Sequence, residues 1–142
     1  MARGKHRIAD RLHSAAIHLL RRLREADAAS GISPSRLSTL SVLVFGGPAS
    51  VRGLAEAEMV RSPTMTGIVQ GLEDDGLIAR APDPHDGRAV VLRATPRGER
   101  LLRAARTRRI DAFEALLDAA TPAELRVLDE AAEILEQLIR SA

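Results

Sequence analysis

Four Ser-Pro or Thr-Pro pairs divide this chain into helices. Each pair places a hydroxyl side chain, which can cap a helix N-terminus, before a proline, which suits the first helical turn. The pairs are Ser33-Pro34, Ser62-Pro63, Thr95-Pro96 and Thr121-Pro122. After the last pair, Glu124 stands at the third helical position and completes a capping box. The pairs therefore predict that four helices begin at or next to these prolines.

Apolar residues repeat at helical spacing in the first and last segments of the chain. The first stripe contains Ile8, Leu12, Leu19 and Leu23, and the last contains Leu125, Leu128, Leu135 and Leu138. Such long apolar stripes are not normally left exposed on a monomer of 142 residues. They therefore predict an obligate homodimer.

Residues 77–94 have the pattern of a β-hairpin. Two short extended runs, LIARAP (77–82) and RAVVLRA (88–94), flank the turn sequence DPHDG. Asp86 and Arg88 project to the same side of an extended segment, so we expect the carboxylate to hold the guanidinium. An arginine at a narrow tip can enter a DNA minor groove. The alternative is a surface ion pair worth about 0–1 kcal/mol.

A short helix that Ser50 can cap and a second helix that begins near Ser62 precede this hairpin. Helix, turn, helix and hairpin is the order of a winged helix-turn-helix, whose second helix lies in the major groove. On a helical wheel of residues 63–75, the apolar side chains cluster opposite a small, polar face that can contact phosphates and base edges. An ordinary solvated helix is the alternative. The candidate DNA-contacting residues are Arg52, Arg61, Ser62, Pro63, Thr64, Thr66, Gln70, His85, Asp86 and Arg88.

Composition excludes several other classes of protein. The chain has no cysteine, which excludes disulfides and thiolate metal sites. No Ser-His-Asp set, phosphate loop or paired-carboxylate pocket is visible, so we expect neither an enzyme nor a cofactor. The longest apolar run is far too short to span a membrane, and the N-terminus has no apolar signal core. A cytoplasmic protein without membrane contact is expected.

Charge is unevenly distributed along the chain. Residues 1–24 carry seven basic and one acidic side chains, and residues 76–110 carry nine and three. Residues 25–75 and 111–142 are acidic, and the net charge is only +2. Alternating blocks of this kind indicate a polyanion-binding face, although an ordinary solvated surface explains them equally well.

The stretch from Leu54-Ala55 through SPTMTGIVQGLEDDGLIAR to DPHDGRAVVLRATPRGE resembles the MarR family of bacterial transcription regulators (multiple antibiotic resistance regulators). The resemblance covers most of the chain. It implies a mainly α fold with a small β-hairpin, and a homodimer whose first and last helices interlock. It also implies that the helix after Arg61 is the recognition helix, that Arg88 is the wing-tip arginine, and that two winged domains read a pseudo-palindromic operator.

The resemblance also implies a division of the single domain, 1–142. Dimerisation helices occupy 1–30 and 107–142, the winged helix-turn-helix occupies 33–95, and the connecting helix starts at 96–106. A small-molecule pocket is expected between the dimerisation helices and the winged domain. His13, His18 and Arg36 are the candidate effector-binding residues, and their charge favours an anion. The expected function is a transcriptional repressor that binds double-stranded DNA in a sequence-specific way. Binding of such an effector is expected to release the repressor from the DNA.

Several alternatives remain open on the sequence. The regulator could work without an effector, or it could respond to a metal held by His6, Asp10 and His13, which lie at i, i+4 and i+7. A solvated helix face explains those three residues better, so no metal is expected. Outside DNA binding, the chain could be a helical protein-interaction domain whose hairpin docks a partner. Gly67 in the recognition helix either allows close approach of DNA or reflects drift.

Overall fold

The structure is a computed structural model that describes residues 2–142. Met1, the first residue of the predicted domain, lies outside the described residues. The predicted fold, mainly α with a small β-hairpin, is confirmed. The elements are α1 (Ala2–Asp27), a short 3-10 turn (Ala28–Ser30), α2 (Pro34–Gly46), α3 (Val51–Ala57), α4 (Ser62–Asp74), β1 (Ile78–Pro82), β2 (Val90–Ala94), α5 (Pro96–Leu117) and α6 (Pro122–Arg140).

Hydroxyl side chains cap most of these helices as the sequence predicts. The hydroxyls of Ser33, Ser50 and Thr95 each accept a hydrogen bond from the backbone N–H three residues later. Thr121 and Glu124 form the predicted capping box at the start of α6. The backbone N–H of Thr121, and then its hydroxyl, donate to the Glu124 carboxylate and lower the pKa of that group.

The predicted cap at Ser62 is wrong. Arg61 is the N-cap residue of α4, with extended backbone angles, and no side chain accepts a capping bond there. Ser62 is already helical, because the backbone enters the helix one residue earlier than the Ser-Pro pair predicts. The serine hydroxyl is therefore exposed at the first turn of α4 and is not used to cap it.

The apolar core is built by α2, α3, α4, the hairpin and the start of α5, and α4 packs on α2, α3 and β1. Its largest fully buried side chains are Leu37, Leu40, Leu54, Met65, Leu72, Leu77 and Leu92. The core is aliphatic because the chain contains two Phe and neither Tyr nor Trp. Burial of each such side chain contributes about 1.5–3 kcal/mol to the stability of the fold. The apolar core therefore holds α4 firmly in place.

The hairpin is antiparallel and is tied to the core at its base. Ile78 pairs with Ala94, and Pro82 pairs with Val90. Ala49, between α2 and α3, exchanges two backbone hydrogen bonds with Leu92, at 3.2 and 2.8 Å. This bridge extends the sheet by one residue and fixes the wing beside the helix pair.

Helices α1 and α6 leave apolar side chains uncovered. Residues 3–18 of α1 are all exposed, and α6 contains no buried residue. The uncovered apolar side chains of the two helices include Ile8, Leu12, Leu20, Leu125, Val127, Leu128, Ile134 and Leu138. In residues 2–142, no helix combines the length and the apolar character that crossing a membrane requires.

Candidate nucleic-acid interface

Helix α4 has one buried and one exposed face, in the positions that the helical wheel predicts. Met65, Val69 and Leu72 are buried, and Ile68 is half-buried. The opposite side chains are all exposed, and they are Pro63, Thr64, Thr66, Gln70 and Asp74. A Cβ atom added to Gly67 would meet nothing within 4 Å. The polar face of α4 is therefore open along its length.

The first turn of α4 is suited to negatively charged groups. It contains no acidic residue, and no side chain bonds to its backbone N–H groups. These N–H groups carry the positive end of the helix dipole. Arg61, Ser62 and Thr64 are exposed beside them, and the hydroxyl of Thr66 donates to the Ser62 carbonyl at 2.9 Å. This end of the helix can donate several hydrogen bonds to phosphate oxygens.

Gln70 lies one helical turn further along the same face. Its side-chain amide donates to Asp74 at 2.9 Å. A pair of this kind at i, i+4 stabilises a helix by only about 0.2–0.5 kcal/mol. The amide can therefore exchange this partner for a base edge at small cost.

The wing turn is organised by two aspartates. A carboxylate oxygen of Asp83 accepts the N–H of His85 at 2.8 Å, and one of Asp86 accepts the N–H of Arg88 at 3.1 Å. The predicted ion pair between the Asp86 and Arg88 side chains is wrong, because the residues lie in a turn, where side chains do not alternate as in a strand. The Arg88 side chain is exposed, with no ion-pair partner among residues 2–142.

Two arginines from other elements reach the C-terminal end of α4. Arg80 of β1 binds both carboxylate oxygens of Glu73, at 2.9 and 3.1 Å, and Arg36 of α2 lies 3.1 Å from Asp75. Sequence reasoning missed both pairs. The only signal in the sequence was the acidic run at the end of α4, which has no basic residue next to it.

The candidate effector residues are not brought to one place. His18 lines an open cleft of about 530 Å³, whose other lining residues are Ala15, Leu19, Arg21, Arg22, Glu25 and Leu116. His13 is exposed on α1 and is not among the residues that line this cleft. Arg36 is not among them either, because its guanidinium is engaged with α4. Arg21 and Arg22 are the basic side chains that accompany His18.

The candidate metal ligands do not form a site. Throughout residues 2–142, no three or more His, Asp or Glu side chains gather closely enough to hold a metal ion. His6, Asp10 and His13 share the exposed part of α1 without forming such a group.

A helix pair with an open polar face, followed by a wing with an arginine at its tip, defines a winged helix-turn-helix DNA-binding protein. Residues 30–89 match the model of the MarR family. The chain is 35% identical over 133 residues to an uncharacterized HTH-type transcriptional regulator of Mycobacterium bovis, covering 94% of this chain and 93% of that protein. The chain belongs to the MarR family of transcription regulators, which are not enzymes.

Other similar proteins agree with this assignment. The HTH-type transcriptional repressor IacR of Pseudomonas putida is 30% identical over 107 residues, covering 72% of this chain and 64% of the repressor. A solved MarR family protein from Bacillus stearothermophilus superposes with a TM-score of 0.83 at 25% identity, covering 99% and 98% of the two chains. The transcriptional regulator Tm0710 of Thermotoga maritima gives 0.80 at 28% identity, covering 96% of each.

Proposed function

We propose that this protein is a cytoplasmic homodimeric repressor that binds a pseudo-palindromic operator. Helix α4 lies in the major groove and Arg88 enters the flanking minor groove. The observation that carries the proposal is the open, polar face of α4 next to a wing whose tip arginine has no carboxylate partner in the described part of the chain. A surface helix without a partner normally presents Glu and Lys there, whereas the first turns of this face present Thr, Gly and Gln.

The contacts divide into those that fix position and those that read sequence. Arg52, Arg61 and His85 bind phosphates, which gives affinity without sequence preference. Arg52 gives up little to do so, since its pair with Glu56 at 3.2 Å is highly exposed. The hydroxyls and amide that face the bases belong to Ser62, Thr64, Thr66 and Gln70, and Pro63 can touch a thymine methyl group. Asp86 acts indirectly, because it holds the backbone of the wing turn.

The dimer is supported by the uncovered faces of α1 and α6. Residues 1–24 are strongly basic, whereas residues 111–142 carry eight acidic and two basic side chains. Opposite charges flank the two apolar stripes, so α1 of one subunit is complementary to α6 of its partner. In a two-fold dimer, the two recognition helices lie about one DNA turn apart, roughly 34–36 Å.

Release by a small anion is the effector part of the proposal. The cleft beside His18 carries two arginines and only one acidic residue, Glu25. A ligand there acts only if it binds the DNA-incompetent arrangement better than the competent one. A tenfold loss of operator affinity needs a coupling of about 1.4 kcal/mol. The alternative is a regulator that works without an effector.

The proposal is tested by titrating the protein into labelled DNA duplexes over a salt series. If the protein contacts several phosphates, the logarithm of the binding constant falls steeply and linearly with the logarithm of the salt concentration. A panel of small organic anions is then added to the complex, and His18→Ala should blunt any release. If no duplex binds even at low salt, the result supports a protein-interaction domain instead. If DNA binds but no anion releases it, the result supports a regulator without an effector.

A further inference from the structure

Arg36 reaches from the first turn of α2 across the recognition helix. Its Nη1 atom lies 3.1 Å from Oδ2 of Asp75, a residue 39 positions later in the chain. The side chain crosses α4 at Gly71. A Cβ atom added to Gly71 would overlap the Nη2 and Cζ atoms of Arg36 and lie 2.7 Å from its Nε. The guanidinium therefore occupies the space that any other residue at position 71 would fill.

The electrostatics of α4 explain why an arginine is needed there. The last residues of the helix, with its cap, are Glu73, Asp74 and Asp75, and its last turn has no basic side chain. Negative charge is unfavourable at a helix C-terminus, where the backbone carbonyls already carry the negative end of the dipole. Arg36 from α2 and Arg80 from β1 supply the missing positive charge from two sides.

These contacts also account for Gly71, which is a poor residue for a helix interior. Gly67, one turn earlier, has open space around it, whereas Gly71 has the guanidinium of Arg36. Gly71 directly follows Gln70 in the sequence, and Asp75 directly follows Asp74, which holds Gln70. Loss of the Arg36 contact would therefore change how the C-terminal end of α4, which follows Gln70, is held, while Met65, Val69 and Leu72 stay buried.

We propose that Arg36 is a positioning residue that sets the orientation of α4 for sequence-specific binding, with Gly71 providing the space and Asp75 the anchor. The inference rests on the proposed function, because it concerns how α4 meets DNA. Arg36 acts through α4 and not through a contact with a base. Loss of its contact is therefore expected to weaken specific binding selectively and to leave non-specific binding, which depends on phosphates, unchanged.

The test uses the full-length wild type, Gly71→Ala, Arg36→Gln and the double variant. Each is titrated with the operator selected by the wild type and with an unrelated duplex. Gly71→Ala keeps the arginine but displaces its guanidinium from Asp75, so we expect it to lower operator affinity by about fivefold, as does Arg36→Gln. The double variant should match either single variant, because all three lose the same contact. Affinity for the unrelated duplex should not change.

Arg140→Gln is the matched control, since it removes one exposed arginine that pairs with Glu136 at the far end of α6. Urea unfolding of each variant checks that it is folded. Operator affinity within twofold of wild type, or additive losses in the double variant, would overturn the inference. Equal losses on both duplexes would show a phosphate contact and overturn it too. A wild type that prefers no duplex would overturn the proposed function as well.

Discussion

Gly98 and Leu77 are in direct backbone contact at the base of the wing. A Cβ atom at position 98 would overlap the Leu77 carbonyl oxygen and lie 3.0 Å from its carbonyl carbon. The same oxygen accepts the N–H of Thr95 at 3.0 Å, and the Thr95 hydroxyl donates to the Gly76 carbonyl at 2.7 Å. These contacts therefore fix the start of α5 against the segment that leads from α4 into β1. They also fix the position of the wing, which begins with β1.

The first prediction concerns this contact. Gly98→Ala should destabilise the protein by about 1–3 kcal/mol, because the clash is with backbone, which cannot rotate away. The loss should appear although alanine is the better helix former. Gly67→Ala is the matched control: its surroundings are open, so it should stabilise by up to about 1 kcal/mol. The measurement is urea unfolding, and equal midpoints for the two variants would contradict the prediction.

The second prediction concerns Asp27 and Arg109, which join the end of α1 to α5 through two hydrogen bonds, at 2.5 and 2.8 Å. Asp27 is only 5% exposed, so removal of its partner leaves a buried carboxylate unpaired. Arg109→Gln should therefore cost about 1–3 kcal/mol of stability. Arg140→Gln, which breaks an exposed pair, should cost well under 1 kcal/mol. Similar unfolding midpoints for both variants would show that the buried pair contributes no more to stability than the exposed pair, and would contradict the prediction.

The third prediction concerns Met59, in the turn between α3 and α4. Its φ of 53° lies in the left-handed region that favours glycine, and its side chain is 92% exposed. Met59→Gly should raise thermal stability by up to about 1 kcal/mol, because the strain is relieved and little packing is lost. Met59→Ala keeps the strain and should show no gain. A glycine variant less stable than the alanine variant would contradict this reasoning.

The fourth prediction concerns the wing tip. Arg88→Ala should cost about 1–3 kcal/mol of operator binding by removing the proposed minor-groove contact. Folding should be nearly unaffected, since the side chain is exposed and the turn is held by Asp83 and Asp86. Operator titrations, with thermal melts as the folding check, measure both effects. Unchanged affinity in a folded variant would remove Arg88 from the interface.

Short-range signals in the sequence predicted most of the fold. The cap at Thr95 joins residues three apart, and the hairpin joins neighbouring runs, so local patterns were sufficient. The burial pattern of α4 follows from its helical period. The same period predicted which face of α4 is open to solvent and can contact DNA bases. The cap at Ser62 failed because one residue of extended backbone at Arg61 shifted the helix start.

Contacts between distant residues could not be predicted in this way. Asp27 and Arg109 lie 82 positions apart, and Arg36 and Asp75 lie 39 apart. Each pair forms where tertiary packing places two helices side by side, α1 against α5 for the first pair and α2 against α4 for the second. The resemblance makes Arg36 a candidate effector-binding residue, whereas its guanidinium lies against the recognition helix.

The central claim is that a two-fold dimer reads DNA through α4. The most direct measurement is selection of bound fragments from the source genome, with wild type and Gln70→Ala in parallel. We expect the wild type to enrich one motif with two inverted half-sites whose centres lie about 10–10.5 base pairs apart. Gln70→Ala should relax the preference at one position in each half-site. A wild-type pool without an enriched motif, or with a single unrepeated half-site, would contradict the account.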